Sequence, residues 1–109
     1  MDLVTASFKV VGIRPSGERI EIELLIGKPF LNESSPVQQW RCPVSCKPLY
    51  GGVINMAGAD AVQALCEALK NGFGQLASFK HYGGQLLYDD GTDFSLEYYE
   101  FPSSGQNNA

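Results

Sequence analysis

The stretch "RIEIELLI", residues 19–26, decides the fold. Ile20, Ile22, Leu24 and Ile26 fall on one side of an extended chain, and Glu21 and Glu23 on the other. Such alternation with β-branched residues predicts a strand with one face in a core and the other in solvent. A strand of this kind needs a neighbour to pair with and a layer to cover its apolar face.

The neighbour precedes it. "TASFKVVGIR", residues 5–14, reads as a strand, with Phe8 and Val10 on one face and Lys9 on the other. "PSGE", Pro15 to Glu18, supplies turn chemistry, because proline fixes φ and glycine accepts positive φ. The two segments predict an antiparallel hairpin. After a polar loop over residues 27–36, residues 37–46 return to strand, with Trp40, Cys42 and Val44 sharing the inward face. "VINMA", residues 53–57, is a further short strand.

The covering layer starts at Asp60. Its carboxylate can accept from free N–H groups of a first helical turn, and Gln63 stands at the capping-box position. Val62, Leu65, Leu69, Phe73 and Leu76 recur at spacings of three and four, as a helical stripe requires. Gly72 and Gly74 mark either close packing or a bend, and "YGG", residues 82–84, is a glycine stop. "QLLY" (85–88), an Asp-Gly turn and "DFSLEYYEF" (93–101) then read as two last strands. In the final strand Phe94, Leu96 and Tyr98 oppose Ser95, Glu97 and Tyr99. The order ββββ-α-ββ predicts an α+β fold: a single antiparallel sheet of five to six strands with one long helix packed on one face. Residues 1–102 form one domain on this reading, and 103–109 a disordered tail.

The chain of 109 residues is 44% apolar and 18% charged, an ordinary globular balance. No apolar run reaches the 18 residues of a membrane span, and no signal peptide is visible. Three cysteines are an odd count for a disulfide scaffold, so a reducing cytoplasm is the expected compartment. The net charge of −4 is unevenly placed. All eight bases lie in residues 1–81, whereas residues 82–109 hold Asp89, Asp90, Asp93, Glu97, Glu100 and no base. Tyr82, Tyr88, Tyr98 and Tyr99 share that segment. Such a surface repels nucleic acid and attracts basic proteins. The competing explanation is that the acids only solvate turns and a strand face.

Motifs for chemistry are few. "WRCPVSC", residues 40–46, places Cys42 and Cys46 on one strand face, about 13 Å apart by strand rise, too far for one metal. A structural zinc needs four ligands, and only Cys66 and His81 could add to the pair. No metal or other cofactor is expected. A cysteine nucleophile would need His81, the single histidine, whose place at a helix C-terminus already has a dipole explanation. "GGVINMAG" matches no phosphate-loop pattern, and "DDGTD" lacks the calcium-loop spacing. No catalytic residue is assigned, and the sequence leaves enzymatic activity open.

"WRCP" (Trp40 to Pro43), "GADAVQAL" (Gly58 to Leu65) and "GGQLLY" (Gly83 to Tyr88) together resemble a family of small uncharacterised bacterial domains. That family carries W-x-C-P and G-x-D-x-x-Q-A-L landmarks. The resemblance covers roughly residues 5–90. It implies a fold and a bacterial setting, and no catalytic residue.

Function is expected in binding. One reading is a small acidic protein that neutralises a basic protein partner, as an immunity protein or inhibitor does to a toxin. Its partner surface would comprise Asp89, Asp90, Asp93, Glu97 and Tyr99, with Tyr99 beside Glu97 on the outward face. The other readings are a small-ligand domain and an accessory homo-oligomeric domain without catalysis, a homodimer among them, in which an exposed last strand pairs with its own copy. Neither nucleic acid nor membrane is an expected partner.

Overall fold

The computed structural model describes residues 1, 3–34, 36 and 38–99. The end of the expected last strand and the expected tail at 103–109 lie outside the described residues. The fold class is the expected one: one antiparallel sheet and one long helix. Six strands, β1 (Val4–Ile13), β2 (Arg19–Gly27), β3 (Phe30–Asn32), β4 (Gln39–Lys47), β5 (Val53–Gly58) and β6 (Gln85–Leu87), share the sheet with helix α1 (Ala61–His81). Among the described residues five strands precede the helix and one follows it, in place of the expected ββββ-α-ββ order.

β1 and β2 form the expected hairpin, with Phe8 opposite Leu24 and Val10 opposite Ile22. β2 and β3 pair along the same edge of β4, and β5 pairs along its other edge. β6 pairs with the far side of β1. The chain therefore passes from one side of the sheet to the other through α1, which carries the helix across the inner face.

Pairing register puts Phe8, Val10, Ile22, Leu24, Ile26, Cys42, Val44, Cys46 and Leu86 on that face, and all but the half-buried Phe8 join Ala64, Ala68, Leu76 and Phe94 in the core. Trp40 also points there and is half-buried.

The start of α1 follows its sequence signals. Asp60 accepts from the Gln63 backbone N–H at 2.7 Å, and the Gln63 side chain accepts in return from the Ala59 N–H. At the other end Gly83 adopts φ +97°, and the Tyr82 and Gly83 N–H groups donate to Ser78 and Lys80 carbonyls.

Three expectations need correction. The loop over residues 27–36 contains β3. The buried seam of α1 is Ala64, Ala68, Gly72 and Leu76, whereas Leu65, Leu69 and Phe73 are half-buried and Val62 is 70% exposed. Small residues win the seam because they let the helix approach closely. A Cβ on Gly72 would meet Leu24 Cδ1 at 2.5 Å, and one on Gly58 would collide with the Ala64 backbone. Finally, residues 93–99 are not a strand. Asp93 makes a single bridge to Leu87, and Leu96–Tyr99 form one 3-10 turn.

Candidate functional site

α1 lies chiefly across β4 and β5. The start of β1 and the end of β2 therefore project past it, and an apolar cleft of about 310 Å³ opens between them. Ala6, Phe8, Leu24 and Ile26 form its floor by strand alternation, Leu69 and Phe73 one wall, and Tyr98 and Tyr99 the end. The half-buried flank of α1, read in sequence as core, is here the wall of a cleft.

The 3-10 turn brings Tyr99 to that position. At about three residues per turn, Leu96 and Tyr99 share one side. The Tyr99 ring stacks on Phe73 with centroids 5.0 Å apart, lies 5.6 Å from Phe94 and meets Phe8 at 5.8 Å. Tyr98 points outward and is 84% exposed. Tyr99 stays 37% exposed, as expected of a rim residue, while its ring packs on Phe8 and Phe73; what is corrected is the two-residue period that turned Tyr98 inward, because residues 96–99 form a 3-10 turn. Only the 3-10 periodicity could have revealed Tyr98 as the outward ring.

The acids lie along the same segment. Tyr88 N–H donates to Thr92 C=O and Gly91 N–H to Tyr88 C=O, which closes the turn. Asp90 accepts from the Thr92 hydroxyl at 2.6 Å and from its N–H at 2.9 Å. The Thr92 side chain first, and then its backbone, hold the Asp90 carboxyl below the usual range. Asp89, Asp90, Asp93 and Glu97 are all exposed. They run from the turn to the rim of the cleft, where Glu97 directly precedes the two tyrosines.

Other sequence candidates are not brought together. Cys42 and Cys46 are sealed under α1, with the Cys42 thiol donating to the Gly27 carbonyl at 3.4 Å. Burial raises the pKa of both thiols, that of Cys46 to about 11. Cys66 is exposed, and His81 lies 15 positions further along the same helix, roughly 22 Å away by helical rise. The apolar cleft is lined by none of Cys66, His81 and Tyr88. Among the described residues no group of three or more His, Cys, Asp or Glu could hold a metal ion, and no buried side-chain polar atom lacks a hydrogen-bond partner. No described helix is long and apolar enough to cross a membrane. No protein-family model, curated protein or solved structure matches the chain.

Proposed function

We propose that the chain is a stoichiometric binding protein whose cleft receives an apolar side chain of a basic protein partner. The observation that carries this reading is an apolar cleft adjoining an acidic segment without a base. Binding energy concentrates where an anchor fills a desolvated pocket, and charged rims steer the approach. Tyr98 and Tyr99 suit such a rim, since tyrosine offers large contact area with a polar tip. An immunity protein or inhibitor acting on a basic toxin in a bacterial cytoplasm is the specific form proposed. Affinity capture and mass spectrometry identify the partner, and calorimetry then tests the site. Ala6 is exposed on the cleft floor. Ala6→Phe fills the cleft without altering charge and is expected to weaken binding about tenfold or more. Unchanged affinity would remove the cleft from the interface.

The apolar lining favours a second reading, a small apolar ligand, since such sites are concave and mostly apolar. A ligand-specific rise in melting temperature that Ala6→Phe abolishes, with no protein captured, would establish this reading over the first.

A further inference from the structure

The sheet has two long borders, and they differ in chemistry. β5 pairs with β4 from Val53 to Gly58 in unbroken register, and with no other described strand. An unpaired strand border offers N–H and C=O groups to any extended chain. Monomeric proteins guard such borders with charge, proline, bulges or brevity. "VINMAG" has neither charge nor proline, and its pairing shows no register shift. The opposite border is guarded: β1 contains Lys9 and a register irregularity between Val4 and Ala6, β6 is three residues long, and Asp89, Asp90 and Asp93 follow.

We infer that β5 pairs antiparallel with β5 of a second copy, joining two sheets across a two-fold axis. An antiparallel pair of identical strands is self-complementary, so the strand itself supplies the whole main-chain interface. The charge distribution leaves this border open to a second copy, and self-complementarity favours one as occupant. Two chains of net charge −4 meet where neither contributes a charged strand residue, and their acidic segments lie at the far borders. A foreign peptide added to a strand border is read through pockets for its alternate side chains. The clefts at Leu69–Phe73, at Arg14–Tyr82 and at Lys9–Lys47 include no residue of β5. The Leu69–Phe73 cleft lies on the β1–β2 side of α1, so both copies keep it open. The dimer is therefore bivalent toward whatever the cleft binds, and this inference stands independently of the partner's identity.

Sedimentation equilibrium of the full chain from about 1 µM to about 500 µM tests the pairing, because dimer populations follow mass action. The mass is expected to rise from 11.9 kDa toward twice that value. Hydrogen exchange at residues 53–58 is expected to slow over the same concentrations. Asn55 and Ala57 are exposed on the face away from α1. Asn55→Lys with Ala57→Lys should keep the far-ultraviolet spectrum and weaken association about tenfold or more, since like charges would face each other across the axis. A chain that stays monomeric throughout would overturn the inference. So would a dimer whose β5 amides exchange as fast as in the monomer, or a folded lysine variant with unchanged association. Should the lysine pair disturb folding, the exchange result on the unaltered chain decides.

Discussion

Cys42 and Cys46 share the inner face of β4, and α1 seals both thiols from solvent. Their role is packing, since a buried free cysteine behaves as a small apolar residue. A thiol reagent at neutral pH is expected to label Cys66 alone in the native protein and all three cysteines in denaturant. Rapid native labelling of a second thiol would show that the helix does not seal the sheet. Burial also gives stability a pH dependence. The Cys46 thiol ordinarily ionises near 9.0, and the folded state raises this to about 11. Between those values the folded chain binds more protons than the unfolded chain, so stability falls as pH rises through the window. The fall approaches about 1.4 kcal/mol per pH unit at most, and Cys42 acts in the same direction. Urea unfolding across this window, with Cys46→Ala as the comparison, measures it; equal slopes in the two proteins would assign the dependence to other groups.

Two glycines in α1 look equivalent in sequence and sit in opposite surroundings. Gly72 faces Leu24 on the seam, whereas nothing lies within 4 Å of a Cβ placed on Gly74. Gly74→Ala is expected to stabilise the protein by about 0.5–1 kcal/mol through helix propensity. Gly72→Ala is expected to destabilise it by about 1–3 kcal/mol net, because overpacking against Leu24 outweighs the propensity gain. Leucines on the helix divide similarly: Leu76→Ala should cost about 2–5 kcal/mol, and Leu69→Ala, open to the cleft, less than about 2 kcal/mol. Chemical denaturation of the four variants checks all these values. Elements with strong periodicity were legible from sequence. The alternation of residues 19–26 gave β2, and the Asp60 cap with the spaced apolar residues gave α1. Its buried side was less legible, since alanine and glycine carry weak hydrophobic signals although close packing selects them. β3 holds three residues, too few to show a period. Residues 93–99 alternate by composition, but their aromatic contacts to Phe8 and Phe73 favour a 3-10 turn over continued pairing. The same substitution of period concealed the cleft, because the turn packs one side of Tyr99 on Phe8 and Phe73 and leaves Tyr98 84% exposed.

Across the whole molecule, acidic charge and open apolar surface meet at one end of the sheet, where the proposed partner would feel attraction at long range and contact at short range. All eight bases precede residue 82, while Asp89, Asp90, Asp93 and Glu97 lie on the segment that ends at the cleft. Field and cleft would then act on different steps of binding. A surface charge changes chiefly the association rate, and a filled pocket chiefly the dissociation rate. Asp93→Lys with Glu97→Lys reverses two exposed charges without touching the core. Once a basic partner is captured, this double variant is expected to associate about tenfold more slowly at low salt, with the difference shrinking as salt rises and the dissociation rate nearly constant. Ala6→Phe is expected to show the converse pattern: a faster dissociation and an association rate that keeps its salt dependence. Stopped-flow kinetics over a salt series measures both. If charge reversal leaves association unchanged at every salt concentration while the fold is intact, the acids serve solubility alone, and recognition rests on the cleft.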